Sequence, residues 1–150
     1  MKTTDQPIVV KQSFDVSRVV LWRAITEREQ MIQWFFENIE AFEPEVGFQT
    51  RFVVENEGRV FPHLWYITQV VPFYKITYNW KYEGNPGDSF VTFELDEYGN
   101  KTRLKLTHTI TRDFPSNIPE FTRESCLAGW KYFIRHSLKD FLHSNSLRKP

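Results

Sequence analysis

Residues 121–142, FTRESCLAGWKYFIRHSLKDFL, form the stretch that decides the fold. Their large apolar side chains are spaced three, four or six residues apart, which places them on one face of an α-helix. These side chains are Phe121, Leu127, Trp130, Ile134, Leu138 and Phe141. A helix of this length is roughly 33 Å long, and its apolar face must be buried against another element. Because the chain before it reads as strands, we predict a long C-terminal helix packed on a sheet.

The chain before this helix reads as a series of strands joined by short loops. The predicted strands cover residues 8–14, 48–55, 59–71, 73–82, 89–95 and 101–110. In residues 73–82, aromatic and aliphatic side chains alternate with polar ones, which is typical of a half-buried strand. Turn sequences such as GNPG at 84–87 leave only short connections, and short connections join antiparallel neighbours.

Two short helices are predicted after the first strand. Residues 18–25 have a helical apolar face, and Thr26 followed by Glu29 matches a capping box that would start the second helix. The N-cap candidates for the first helix are Ser13, Asp15 and Ser17. The order of elements is an α+β layout, and we expect one domain over residues 1–150 with its core at about 8–143.

The composition restricts the function classes. Lysine and arginine total 19, as do aspartate and glutamate, and no long run of like charge occurs, so we expect neither a nucleic-acid partner nor a polybasic membrane anchor. No segment has the length of a membrane span or the pattern of a signal peptide. The single cysteine, Cys126, fits a reducing compartment. We therefore expect a soluble cytoplasmic protein.

Several segments resemble one known family. They are residues 19–26 (VVLWRAIT), 31–35 (MIQWF), 71–72 (VP), 76–80 (ITYNW), 104–108 (LKLTH) and 129–130 (GW). In order and spacing they are similar to bacterial proteins related to the activator of the heat-shock chaperone ATPase, within the START-like (SRPBCC) superfamily. The resemblance covers about residues 8–143. It implies the helix-grip fold, in which a curved antiparallel sheet wraps the C-terminal helix, often around a hydrophobic cavity. It also implies a chaperone partner and a stress-related role.

The chain departs from the family pattern at the start of one predicted strand. Residues 60–65, VFPHLW, place bulky groups where the family has small ones. The family has two consecutive glycines after the second helix, whereas this chain has only Gly47 there. We therefore expect any cavity to be narrowed or reshaped relative to the relatives.

Aromatic side chains on both the sheet and the terminal helix are the candidates for a ligand site. The candidate residues are Trp34, Phe52, Trp65, Tyr78, Trp80, His108, Trp130 and Phe133. Ordinary core packing is the alternative for each aromatic residue. An inward His108 would contact a ligand, act as a general acid or base, or bond a neighbouring hydroxyl as a core histidine.

Other residues carry weaker signals. Gly129 costs helix stability, which indicates either close packing on the sheet or space kept for a ligand, and we favour close packing. The orientation of His63 is not predictable because it follows a proline. His136, Asp140 and His143 have helical spacing, but we expect a solvated face and no metal. No cofactor or catalytic motif is present in the sequence.

The leading hypothesis is a binding protein that holds a hydrophobic or aromatic small molecule, such as a lipid, between sheet and terminal helix. One rival is an enzyme of the same fold using His108 with a tyrosine such as Tyr78 for proton transfer, which we favour less. The other rival is a chaperone-interacting module. The sequence does not show whether the protein is a monomer or a homodimer. It also does not show whether the interior is a filled core or a cavity.

Overall fold

The computed structural model describes residues 1–148. After β1 (Ile8–Phe14) come two short helices, α1 (Arg18–Thr26) and α2 (Arg28–Trp34). The strands that follow are β2 (Gln49–Asn56), β3 (Arg59–Val71), β4 (Lys75–Tyr82), β5 (Asp88–Tyr98) and β6 (Lys101–Arg112). A 3-10 turn (Pro119–Phe121) leads to α3 (Arg123–Lys131), a π-helical segment (Tyr132–Ser137) and α4 (Leu138–Arg148). These last three segments are continuous and are called the terminal helix below.

The six strands form one antiparallel sheet in the order β1-β6-β5-β4-β3-β2. Burial alternates along the central strands, so that one face carries the core. On this face Ile76, Tyr78 and Trp80 of β4 are buried. The terminal helix packs here, with the Trp130 ring centroid 5.5 Å from that of Trp80 and 5.9 Å from that of Phe93. This is the predicted helix-grip arrangement.

The β2–β3 hairpin has a two-residue turn. Asn56 pairs with Arg59, and the intervening Glu57 and Gly58 have φ angles of 50° and 79°. Positive φ at both positions is typical of a type I′ turn, whose twist matches that of the strands.

Several predicted element ends differ from the structure, among them the ends of β2, β5 and β6, and three of the differences have a clear physical reason. The capping box at Thr26 is wrong: Thr26 ends α1, where its hydroxyl donates to the Trp22 carbonyl oxygen at 2.6 Å, and Glu27 precedes α2 without a side-chain cap. The terminal helix begins at Arg123 rather than at residue 121, because Thr122 caps it by accepting from the Ser125 amide at 3.2 Å. β4 begins at Lys75 because Phe73, with φ of 72°, lies in the preceding turn.

Candidate functional site

A cavity of about 390 Å³ lies between the first half of the terminal helix and the β2–β4 side of the sheet. The aromatic rings that line it belong to Phe36, Phe61, Trp80, Tyr82, Phe121, Trp130 and Phe133. The polar residues that line it are Glu55, Asn56, His63, His108, Glu120, Ser125 and Cys126. Glu55, Asn56 and Ser125 are exposed, so the cavity opens to solvent between the end of β2 and the start of the terminal helix.

Aromatic side chains fill the rest of the space between sheet and terminal helix. Phe35, just after α2, has its ring centroid 4.7 Å from that of Trp34 and 5.6 Å from that of Trp65. Ile39 and Phe42 in the connection to β2 are also buried. The interior is therefore a packed core on the α2 side and a cavity on the other side.

Four of the eight candidate residues line the cavity and four do not. Those that line it are Trp80, His108, Trp130 and Phe133. The other four, Trp34, Phe52, Trp65 and Tyr78, are buried in the core. Phe52 lies behind the cavity wall, with its ring stacked on that of His63 at 4.7 Å. The role of any of the eight in ligand binding stays a prediction.

His108 is held by hydrogen bonds on both ring nitrogens. Because an indole N–H can only donate, the bond of 3.0 Å from Trp130 Nε1 makes His108 Nδ1 an acceptor. The proton is therefore on Nε2, which donates to Ser89 Oγ at 2.9 Å. Ser89 Oγ in turn donates to the Trp80 carbonyl oxygen at 2.7 Å. Burial lowers the pKa of His108 to about 3, so the ring is neutral.

The proposed acid–base partner of His108 is distant from it. Tyr78 pairs with Val91, and Val91 pairs with His108, so the two residues are two strands apart, roughly 9–10 Å. Burial raises the pKa of the Tyr78 hydroxyl. With both nitrogens of His108 occupied, this arrangement provides no group positioned for proton transfer to a substrate.

His63 is a second buried histidine and lies on the cavity wall. The sequence did not predict the direction of its side chain. It is 4% exposed, and its Nδ1 donates to the Phe61 carbonyl oxygen at 2.9 Å, because a carbonyl can only accept. Burial lowers the pKa of His63 to about 4. The ring is therefore neutral at physiological pH, with its proton on Nδ1.

Tyr82 and Cys126 also stay neutral. The Tyr82 hydroxyl accepts from Trp80 Nε1 at 2.9 Å, and burial raises its pKa. Burial raises the pKa of the Cys126 thiol to about 12, and its sulfur lies 3.4 Å from His108 Nδ1. A thiol with so high a pKa is not a reactive nucleophile.

Gly129 faces open space, so the favoured prediction of close packing is wrong. A Cβ atom at Gly129 would have no atom within 4 Å apart from those of its chain neighbours and of its own helix backbone, and Gly129 lines the cavity. The absence of a side chain at this position thus leaves room on the cavity-lining face of α3.

A charged cluster lies at the cavity mouth. Arg59 Nε donates to both carboxylate oxygens of Glu120 at 2.9 Å, and the Asn56 amide donates to Glu120 Oε2 at 2.7 Å. Hydrogen bonding from Arg59, with a smaller contribution from Asn56, lowers the pKa of Glu120 to about 2. These bonds connect the β2–β3 hairpin to the turn before the terminal helix.

The remaining polar residues of the terminal helix lie outside the cavity. His136, Asp140 and His143 are exposed, and within residues 1–148 no group of three or more potential metal ligands comes together. In the same part of the chain, every helix is too short or too polar to cross a membrane.

Several lining residues were not among the eight sequence candidates, although some of them carried a signal. Tyr82 continues the alternating face of Trp80, and Cys126 and Gly129 share a helical face with Trp130 and Phe133. Phe61 and His63 lie in the bulky segment that was expected to reshape the cavity. Phe36 and Glu120 had no signal, because their positions depend on how connections fold back.

Comparisons with known proteins agree with this fold. A protein from Chromobacterium violaceum has a TM-score of 0.73 and 20% identity, over 89% of this chain and 94% of its own. A protein from Mesorhizobium loti has a TM-score of 0.73 and 24% identity, over 93% and 98%. A protein described as an HSP90 activator from Plasmodium falciparum has a TM-score of 0.70 and 22% identity, over 93% and 97%. At identities below 25%, these similarities show a shared fold and nothing about function.

Sequence comparison identifies the family. Comparison with curated proteins gave no match. A family model described as "Activator of Hsp90 ATPase homolog 1-like protein" matches residues 15–143, which is most of the chain. This chain therefore belongs to the family of Activator of Hsp90 ATPase homolog 1-like proteins.

Proposed function

We propose that this protein binds a small, largely apolar molecule in the cavity between the sheet and the terminal helix. The observation that carries the proposal is the open space at Gly129, opposite a wall of aromatic rings. A helix interior favours alanine over glycine, and a packed core leaves few voids larger than a water molecule. A glycine beside an aromatic-lined cavity of about 390 Å³ supports binding rather than packing alone.

The size and lining of the cavity fit a ligand with one or two rings. Ligand pockets commonly measure about 300–1,000 Å³ and are mostly apolar with a few polar groups. The rings of Trp80 and Trp130 are 5.5 Å apart and nearly perpendicular, at 68°, so one indole offers its face and the other its edge. Burial of apolar ligand surface at about 25 cal/mol per Å² would supply the affinity.

Filling the open space at Gly129 tests the proposal. Replacement Gly129→Leu places a branched side chain in the open space and should reduce ligand binding without unfolding the protein. Native mass spectrometry of the purified protein, followed by organic extraction, would measure the bound mass and its chemical class. The matched control is Ala128→Leu, which adds the same side chain at the exposed neighbouring position. A bound mass retained equally in both variants would contradict binding at this site.

A second candidate function is interaction with a chaperone. It is favoured by the family description and by the fold shared with the Plasmodium falciparum protein described as an HSP90 activator. The test is a pull-down with purified Hsp90, together with measurement of its ATPase rate. Complex formation with a raised ATPase rate would support this function, and the absence of both would exclude it.

A further inference from the structure

Two polar atoms on the cavity wall are left unused by the protein. His63 Nδ1 donates to the Phe61 carbonyl oxygen at 2.9 Å, so the neutral ring keeps a lone pair on Nε2. Among the side chains that the structure describes, none donates to this lone pair. Because His63 lines the cavity and is 4% exposed, Nε2 is the polar atom that it can offer to a ligand.

Tyr82 supplies the complementary group. Its hydroxyl oxygen accepts from Trp80 Nε1 at 2.9 Å, whereas its own proton has no acceptor among the residues that the structure describes. The Tyr82 and His63 ring centroids are 4.7 Å apart, with the rings at 74°. The two rings that carry this donor and this acceptor are therefore neighbours on one wall, as the pairing of His63 with Tyr82 across β3 and β4 requires.

His108, in contrast, has no free ring nitrogen. Both of its nitrogens are bonded, to Trp130 and to Ser89. The fully buried unpaired side-chain atoms of the described residues are Arg18 Nε, Trp65 Nε1 and the Tyr78 hydroxyl, and none of these residues lines the cavity. His63 Nε2 and the Tyr82 hydroxyl belong to cavity-lining residues, so a molecule in the cavity can supply the opposite partner for each.

We propose, building on the proposed binding function, that His63 and Tyr82 select a neutral ring compound carrying a hydroxyl group. The ligand hydroxyl accepts from the Tyr82 hydroxyl and donates to His63 Nε2, while its ring system lies among the cavity aromatics. A carboxylate has no proton to donate to Nε2, and moving its charge from water into a largely apolar cavity has a desolvation cost. The ligand class is therefore an aromatic or alicyclic alcohol or phenol rather than an ionised fatty acid.

Three probes of one shape test this selection. They are 2-naphthol, 2-methoxynaphthalene and 2-naphthoate, with dissociation constants measured by quenching of tryptophan fluorescence. The unsubstituted protein should bind 2-naphthol about three- to tenfold more tightly than 2-methoxynaphthalene, the usual effect of one neutral hydrogen bond. It should bind 2-naphthoate most weakly.

Two variants separate the donor from the acceptor. His63→Phe should abolish the preference for 2-naphthol over 2-methoxynaphthalene, because the acceptor is lost and ring size is kept. Tyr82→Phe should weaken the binding of both probes and leave the ratio of their dissociation constants unchanged. The reason is that the hydroxyl oxygen of 2-naphthol and the ether oxygen of 2-methoxynaphthalene both accept from Tyr82. The control His136→Phe makes the same substitution at an exposed position and should change neither constant.

The outcomes distinguish this inference from the function on which it depends. Equal affinity for 2-naphthol and 2-methoxynaphthalene would overturn the selection and leave apolar binding intact. If none of the three probes binds and no molecule is extracted from the purified protein, both the selection and the proposed binding function would be overturned.

A second measurement needs no substitution. Nitrogen-15 NMR of the histidine rings should show His63 protonated on Nδ1 and His108 on Nε2, and 2-naphthol should shift the His63 Nε2 resonance. A proton on Nε2 of His63 in the free protein would overturn the proposal.

Discussion

At the scale of the residue, the two buried histidines show how neighbours decide what one side chain can do. His108 contacts a donor and an acceptor, so its ring is fully used within the protein. His63 contacts one backbone carbonyl oxygen and otherwise aromatic rings, including those of Phe52 and Phe36 at 4.7 and 5.0 Å. The same imidazole is therefore a structural group in one place and an available acceptor in the other.

Gly129→Ala should stabilise the protein. A Cβ at this position meets no atom within 4 Å outside its chain neighbours and its own helix backbone, and alanine is favoured over glycine in a helix interior by about 1 kcal/mol. Urea unfolding should show a free energy of unfolding higher by about that amount. The reverse change at the exposed neighbour, Ala128→Gly, should lower it by a similar amount. A loss of stability in Gly129→Ala would mean that the glycine is needed for close packing.

At the scale of the element, the π-helical segment sets the register of the terminal helix. Within Tyr132–Ser137, Phe133 lines the cavity while Ile134 is buried in the core. A π turn inserts one residue into the helical repeat, and such segments are frequent at functional sites. The terminal helix thereby presents cavity-lining residues in its first half and core residues such as Leu138 and Phe141 in its second half.

The turn of the β2–β3 hairpin carries a conformational cost that one substitution should relieve. Glu57 has φ of 50°, a region that asparagine adopts more readily than glutamate, and Asn-Gly is the preferred pair for a type I′ turn. Glu57→Asn should raise the free energy of unfolding by about 0.5–1 kcal/mol. The exposed ion pair between Glu57 and Arg59, at 3.3 Å, contributes little to stability.

Glu57→Gln is the matched control, because it removes the charge and keeps the unfavourable backbone. It should leave stability within about 0.5 kcal/mol of the original protein. If both variants change stability equally in chemical denaturation, the ion pair rather than the backbone would be responsible.

The sequence predicted elements better than it predicted the site, and the strands show why. β3 was predicted with the same ends as in the structure, because turn residues bracket its apolar residues. Trp65 and Trp80 were both candidates for the ligand site, but only Trp80 lines the cavity. The difference arises from Phe35 and Phe42, which fold back against Trp65. Such a contact between distant segments has no periodic signal in sequence.

At the scale of the whole molecule, the fold combines a packed core with an open interior. The stacked rings of Trp34, Phe35 and Trp65 brace the sheet against the helices on one side, and aromatic pairs contribute about 0.5–1.5 kcal/mol each beyond their burial. The cavity side can then remain open without collapse of the helix onto the sheet.

The buried histidines also link the stability of the whole molecule to pH. Their pKa values are about 4 for His63 and about 3 for His108, both lowered by burial from 6.5 in the unfolded chain. Above pH 6.5 both rings are neutral whether the chain is folded or unfolded, so their contribution to stability is constant. As pH falls below that value, the unfolded chain takes up two protons that the native protein does not, and stability decreases.

The free energy of unfolding should therefore be nearly constant from pH 8 to 7 and should fall below pH 6, where the histidines act first and the Glu120 carboxylate adds a further decrease below about pH 4.5. The expected slope is about 1.4 kcal/mol per pH unit for each histidine. Urea unfolding at successive pH values measures this slope, whatever the stability at neutral pH. His63→Phe should reduce the slope by about half, because one proton uptake is lost. His136→Phe, at an exposed position, should leave the slope unchanged. Constant stability down to pH 4 would show that the native protein also protonates its buried imidazoles, which would contradict their neutral, hydrogen-bonded state.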